Sequence, residues 1–267
     1  QPDDDTPRLV LADWLDEQDD PLDAARAAFI RKDIARARGE KALLPAAELE
    51  AAKTLLVRWL GPMVKTADHY GFQRGLPAIK VPAAWFLRGE TPGWLASESF
   101  AFVQHVITTD ASGRQLEDMV RIPEFRHVPG LSVQQASTLG SSALAQFFES
   151  PNLSGLRRIE LTGANIGVAG AQALADNPAS GRLRRFTLSR NKLVDRAVVA
   201  LAAARHLTNL DVLNLSCNEV GDAGADALAA SSALPTLREL DLTKNPRLTA
   251  RGKQALRDAL GDRVKLD

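Results

Sequence analysis

One spacing constrains this chain more than any other feature of it. The motifs Leu156-x-x-Ile159-x-Leu161, Leu183-x-x-Phe186-x-Leu188, Leu210-x-x-Leu213-x-Leu215 and Leu237-x-x-Leu240-x-Leu242 follow one another at a constant step, and Asn191, Asn218 and Asn245 follow the last three at one offset. Each unit then supplies an apolar residue (Ile166, Leu193, Val220, Leu248) and, further on, a leucine (Leu174, Leu201, Leu228, Leu256) inside an Ala/Gly-rich run. A fixed period of this kind builds a stack in which each unit buries its apolar side only against its neighbours. Within a unit the period-2 pair sends both side chains to one face of a short strand. The second half has the spacing of a helix.

Strands stack at about 4.8 Å, whereas packed helices need about 8–10 Å. The stack therefore curves into a horseshoe, an α/β solenoid with parallel strands on the concave side and helices on the convex side. A buried asparagine amide both donates and accepts, so stacked copies of Asn191, Asn218 and Asn245 can satisfy backbone groups where the chain leaves the sheet. Ala164 interrupts that ladder. Gly170-Ala171-Gln172-Ala173-Leu174 and Gly224-Ala225-Asp226-Ala227-Leu228 keep the inner helix face small, and Asp195 and Asp222 stand where N-caps belong. Together these residues resemble the leucine-rich repeats of the ribonuclease-inhibitor-like kind. The run Val220-Gly221-Asp222-Ala223-Gly224-Ala225-Asp226-Ala227-Leu228 carries that resemblance as much as the strand motif does.

Residues 1–70 read as an α-helical cap. Thr6-Pro7 opens a helix with Val10, Leu11, Trp14 and Leu15 on one face, and Asp20-Pro21 opens another with Leu22, Ala25, Phe29 and Ile34, ended by Gly39. A third runs from near Pro45, with Leu49, Ala52, Leu56, Trp59 and Leu60 inside and Gly61-Pro62 as its stop. Between Gln1 and Asp23 stand nine carboxylates (Asp3, Asp4, Asp5, Asp13, Asp16, Glu17, Asp19, Asp20, Asp23) against Arg8 alone. They lack the central glycine and distal glutamate of a calcium loop, so they read as a solvated face. The wording Asp4-Asp5-Thr6-Pro7-Arg8-Leu9-Val10-Leu11-Ala12-Asp13-Trp14-Leu15-Asp16-Glu17, continued by Ala28-Phe29-Ile30-Arg31, resembles the repeat-companion domain that precedes leucine-rich repeats in bacterial proteins. That resemblance implies an architecture and brings no catalytic residue or cofactor with it.

Residues 71–267 form the solenoid, with 71–150 divergent, 151–260 regular and 261–267 a closing strand. Counted back from the first clear unit at nearly the same step, Val128-x-x-Leu131-x-Val133, Val103-x-x-Val106-x-Thr108 and Leu76-x-x-Ile79-x-Val81 fall into place as earlier copies. Seven strands follow, and Val264-Lys265-Leu266 after Gly261 offers a last one. Trp85, Phe86, Trp94 and Phe100 are expected to seal the first unit against the helical cap.

No chemistry is written locally. His69, His105, His127 and His206 are scattered, and there is no His-Glu-x-x-His pair, phosphate loop or nucleophile elbow, so no metal, cofactor or catalytic residue is expected. His105 beside Asp110 with an opposing carboxylate is the one arrangement that would revive an enzyme. Cys217 is alone, which suits a reducing, cytoplasmic setting and leaves no disulfide framework. No apolar run approaches membrane length, and 33 basic against 33 acidic residues argue against wholesale nucleic-acid binding.

The informative surface is the concave one, built from the residues between the buried strand positions: Lys80, Ile107, Ser132, Glu160, Thr187, Asn214 and Asp241 in one column, with Arg158, Arg185 and Glu239 beside them. Without large aromatics it suits a polar protein interface better than stacked bases. The expectation is a non-enzymatic scaffold that binds another protein through Arg158, Arg185, Glu160, Thr187, Asn214 and Asp241. Two alternatives are a phosphate or nucleic-acid binder using an edge of Arg157, Arg158, Arg184 and Arg185, which otherwise reads as a solvated basic edge with Glu160 and Glu239 as its partners, and a non-catalytic subunit of an enzyme.

Overall fold

The computed structural model describes residues 5–40, 54, 57–58, 60–61, 69–109, 111–134 and 139–267. Its backbone is one continuous sheet of nine strands in sequence order: β1 His69–Gln73, β2 Leu76–Pro82, β3 His105–Thr109, β4 Gly130–Val133, β5 Arg158–Leu161, β6 Arg185–Thr187, β7 Val212–Asn214, β8 Glu239–Asp241 and β9 Val264–Lys265. All pairs from β2 onward are parallel, and one apolar row crosses them, Ile79, Val106, Leu131, Ile159, Phe186, Leu213, Leu240 and Val264. The divergent units thus occupy the register counted back from the regular ones.

The helices are α1 Thr6–Asp16, α2 Pro21–Ala37, α3 Thr91–Leu95, α4 Glu98–Ala101, α5 Gly113–Arg121, α6 Gly140–Glu149, α7 Gly167–Asp176, α8 Asp195–Ala202, α9 Asp222–Ala229 and α10 Ala250–Leu260. From α5 to α10 each packs against the next on the far side of the core. Divergence in residues 71–150 has a packing cause, because phenylalanines replace leucines there. Phe86, Phe125, Phe147, Phe148 and Phe186 form a chain of ring contacts at 5.2–6.5 Å through the first units.

The asparagine ladder forms. Asn218 donates from Nδ2 to the carbonyls of Leu188 and Leu215, both at 2.9 Å, and its Oδ1 accepts from Asn191 N at 2.8 Å and Leu193 N at 3.1 Å. Asn245 repeats the pattern one unit on, bonding Leu215 O, Leu242 O and Val220 N. At the Ala164 unit the ladder stops, and Asn191 Oδ1 is left buried without a hydrogen-bond partner.

Asp195 and Asp222 do not cap their own helices; they stand one residue inside, after Val194 and Gly221. Each instead serves the next helix. Asp195 Oδ1 accepts from Gly221 N at 2.6 Å and Gly224 N at 3.2 Å, and Asp222 accepts from Thr249 N at 2.9 Å and Thr249 Oγ1 at 2.6 Å. The Ala/Gly run makes room for this: a Cβ on Gly224 would lie 2.9 Å from Asp195 Oδ1, and one on Gly252 2.4 Å from Asp222 Oδ1.

At the N-terminal end several sequence expectations need correction. β1 lies outside the repeat pattern. It pairs antiparallel with β2 through the two-residue turn Arg74-Gly75, whose φ values of 50° and 81° are those of a type I′ hairpin. Gly75 is forced, since a Cβ there would come within 2.5 Å of Ile30 Cα, and its N–H donates to the buried Asp33 at 2.7 Å. α1 buries Ala12 and Leu15, while Val10 and Trp14 are 61% and 52% exposed. In α2 Phe29 and Ile34 are buried as expected, joined by Ala27, Ile30 and Asp33, while Ala25 is exposed, and Gly39 follows the helix end as expected. Thr6 is the first helical residue and Asp5 the N-cap. Asp5 is no part of a solvated face: at 5% exposure it accepts from Arg74 at 2.9 Å and Arg38 at 2.9 Å. With Leu76 and the Phe29–Phe72 contact at 4.3 Å, it joins the helices to the sheet. Trp85, Phe86 and Phe100 lie inside the large core instead, where the Ala83–Leu87 turn meets α5, and Trp94 packs against that core. They fill the first units in the same core that takes in Leu60 from residues 1–70. Of the third helix, Pro45, Leu49, Ala52, Leu56 and Trp59 lie outside the described residues, and Leu60 is buried in the large core.

Candidate functional site

Strand alternation puts Ile159 and Leu161 into the core and leaves Arg158 and Glu160 half-buried on the open face of the sheet. Register then decides which side chains meet. Ser132 pairs with Glu160 and Glu160 with Thr187; Arg158 pairs with Arg185; Thr187, Asn214 and Asp241 continue the column. All six residues expected at a partner surface therefore lie on four consecutive strands of one face.

The densest chemistry sits at the boundary between divergent and regular units. Arg158 Nε donates to Glu160 Oε1 at 2.7 Å, its Nη2 reaches the same oxygen, and Ser132 Oγ donates to Glu160 Oε2. Two strands from Glu160, His105 Nε2 lies 2.7 Å from Ser132 Oγ and 3.9 Å from Glu160 Oε2. The sequence suggests Asp110 as the neighbour of His105, and Asp110 lies outside the described residues. The opposing carboxylate is Glu160, and Ser132, which pairs with Ile107 and so lies diagonal to His105 on the next strand, joins the two.

Burial, then the Arg158 charge, pushes the His105 pKa down to about 4 against the pull of Glu160, so the ring is neutral at pH 7. Burial would raise Glu160, but the Ser132 hydrogen bond and Arg158 outweigh it and hold the carboxylate below its usual range. The direction of the protons follows. The Ser132 proton goes to Glu160, so His105 donates from Nε2 to Ser132 Oγ and its Nδ1 points at the backbone beside Gly130, buried and without a hydrogen-bond partner. A nucleophilic serine needs the reverse, a hydroxyl donating to imidazole. This His105–Ser132–Glu160–Arg158 chain fixes a salt bridge on the face instead of activating an oxygen.

On the remaining rungs Asn214 Oδ1 accepts from Ser216 N and Oγ, and Asp241 Oδ1 accepts from Thr243 N and Oγ1, so both side chains also hold the turn that ends their strand. Those turns pass through left-handed residues at one offset, Arg190, Cys217 and Lys244. Arg190 and Lys244 thus hold the positions of the flanking units that match Cys217. Glu239 pairs with Lys265 at 2.7 Å and does not serve the arginines.

The four arginines do not make one edge. Arg158 and Arg185 stand on the open face, whereas Arg157 and Arg184 precede their strands on the rim where the strands begin. There Arg184 N donates to Arg157 O at 2.7 Å. Burial and then the charges of Arg182 and Arg184 hold Arg157 below the usual arginine range. A groove of about 480 Å³ between α6 and α7 is lined by Ala145, Ala169 and Ala173 with Glu149, Gln172 and Asp176, and holds no nucleophile with a base. Among the described residues no cluster of His, Cys, Asp and Glu could hold a metal, and no helix is long and apolar enough to cross a membrane.

A Leucine Rich repeat profile matches residues 155–175, 206–229 and 233–256. Sequence repeat, profile and parallel sheet with stacked helices together establish a leucine-rich-repeat solenoid. The skipped unit is the one carrying Phe186 and the Arg182, Arg184 and Arg185 cluster. Among solved structures, the Rad7 and Elc1 complex in yeast is similar at 18% identity and a TM-score of 0.46, over 66% of this chain and 50% of that one. An internalin (InlF) of Listeria monocytogenes is similar at 14% identity and a TM-score of 0.27, over 63% and 54%. This chain spans about half the length of either. No curated protein matches it.

Proposed function

We propose that this leucine-rich-repeat chain is a non-enzymatic scaffold whose concave sheet face binds another protein. The observation that carries the reading is the row of half-buried polar side chains, Arg158, Glu160, Arg185, Thr187, Asn214 and Asp241, held in register on four strands. Such a face is rigid before binding, because its side chains hang from a continuous hydrogen-bonded sheet and Glu160 is clamped from both sides. Preorganisation of that kind lowers the entropy cost of association. The division of labour is proposed as a helical cap over residues 1–70, of the repeat-companion type, closing a ribonuclease-inhibitor-like solenoid over residues 71–267 in a reducing, cytoplasmic setting. The inverted His105–Ser132–Glu160 relay supports the absence of catalysis at this face.

The experiment is co-purification from the source cell, followed by amide exchange on the complex. Slowed exchange over residues 158–161, 185–189, 212–216 and 239–243 supports the reading. Protection confined to the convex helices α7–α10, or to α1 and α2, contradicts it.

A further inference from the structure

The rim where the strands begin carries a charge distribution that the neutral composition conceals. Arg126, Arg157, Arg182 and Arg205 occupy the loops that lead into β4, β5, β6 and β7, one on each of four successive units, and all four are exposed. None has a carboxylate partner among the described residues. Their neighbour Arg184 has one, since Asp211 lies 3.6 Å from Arg184 and 3.8 Å from Arg238, but that single buried acid is shared between two guanidiniums. The turns Pro123–His127, Pro151–Gly155 and Pro178–Arg182 pack on one another, and backbone bonds tie Arg184 N to Arg157 O and Asp211 N to Arg184 O. The backbone segments that carry Arg126, Arg157 and Arg182 are therefore stacked in order along one edge, and Arg205 stands on the loop of the next unit. Like charges held this close are mutually unfavourable unless an anion lies among them.

We propose that this rim binds an anionic segment of a protein partner, one carrying carboxylate or phosphorylated side chains. Two features choose that class. The positions hold arginine and no lysine, and the planar guanidinium fork suits a two-oxygen group held in a fixed orientation. No phenylalanine, tyrosine or tryptophan is exposed on these loops, since Phe125 is buried, so bases would find no large aromatic platform beyond the His127 ring. The inference goes beyond the concave-face reading and stands apart from it, because Arg158 and Arg185 lie on a different surface.

The test titrates the purified chain with three labelled probes, a hexaglutamate peptide, a matched phosphoserine peptide and a hexauridylate RNA, at about 0.05 and about 0.3 M salt. The proteins compared are wild type, the variant Arg126→Gln/Arg157→Gln/Arg182→Gln/Arg205→Gln, and a charge-matched control, Arg114→Gln/Arg196→Gln/Lys253→Gln/Arg257→Gln, on the convex helices. The milder Arg157→Gln/Arg182→Gln pair covers any loss of folding in the quadruple variant, which thermal melting would show. Binding of either peptide, weakened at least roughly tenfold in the rim variants and unchanged in the control, supports the proposal, and the better peptide identifies the acid. Tighter binding of the RNA than of both peptides, equal losses in rim and control variants, or no binding of either peptide overturns it.

Discussion

Asn218→Ala is the perturbation that tests the repeat physics most sharply. The side chain is 3% exposed and sits between two rungs, donating to Leu188 O, Leu215 O and, at 3.3 Å, Ser216 O while accepting from the backbone of Asn191 and Leu193. Truncation strands two N–H groups and at least one carbonyl in a place that water does not reach. Each unsatisfied buried group costs about 1–3 kcal/mol, and local relaxation recovers part of the total, so the expected loss is about 3 kcal/mol. At this size that lowers Tm by roughly 6–12 °C. Asn191→Ala supplies the internal comparison, because Asn191 Oδ1 has no hydrogen-bond partner and only Nδ2 works, to Leu161 O and Ser189 O. It should cost about half as much. Urea unfolding of the three proteins gives both numbers. An Asn218→Ala midpoint equal to wild type, or an Asn191→Ala loss as large as that of Asn218→Ala, would refute the ladder argument.

Gly224→Ala should destabilise by about 1–3 kcal/mol although alanine is the better helix former by about 1 kcal/mol, because its Cβ meets Asp195 Oδ1 and Val220 Cγ1, both at 2.9 Å. Less loss in the Asp195→Ala background, measured in a double-mutant cycle, would trace it to the carboxylate. Stability should fall as pH drops from 6.5 towards 4, because the unfolded chain binds a proton at the ordinary His105 pKa of 6.5 that the buried ring refuses until about 4. The loss is roughly 3 kcal/mol, complete below about pH 4, and His105→Gln should flatten that window in urea titrations across pH. Burial would raise Asp5, but the Arg74 and Arg38 hydrogen bonds and charges outweigh it and hold the carboxyl below its usual range, so its contribution is present above about pH 4 and disappears as the pH falls through the lowered value. Asp5→Asn should therefore cost about 1–2 kcal/mol at neutral pH and nothing in strong acid, measured by the same titrations.

Legibility in the sequence followed how repetitive the physics is. Where the same leucine meets the same neighbour once in every unit, strand register, buried rows and helix order can be read directly, and counting back places β2, β3 and β4 where they lie. Failures came where a contact is made once. Asp5 reads as one acid among nine, and only the fold brings Arg74 to it. The Arg74-Gly75 turn is written once, and no other unit contains a copy to confirm it as a hairpin. Helix faces in α1 and α2 come out differently from the sequence because two short helices packing on a hairpin bury a narrow stripe, which periodicity alone does not orient. Repetition also hides relations between units: Asp195 and Asp222 sit at helix starts, yet each serves the helix after its own. The His105–Ser132–Glu160 group likewise spans three units, and no local motif announces it.

The central claim is that the concave face is where a partner binds, and one titration addresses it. Arg158 and Arg185 are adjacent in register on that face and point away from the core, so the Arg158→Ala/Arg185→Ala protein should keep its circular dichroism spectrum. Losing the paired donors of two guanidiniums in a complex costs about 2–5 kcal/mol. Isothermal titration of the co-purified partner into wild-type and double-variant protein, at about 0.05 and about 0.3 M salt, should show affinity lowered at least tenfold in the variant at both, with the wild type the more salt-sensitive. Equal affinity of the two folded proteins at both salt concentrations would contradict the account and move the binding site off this face.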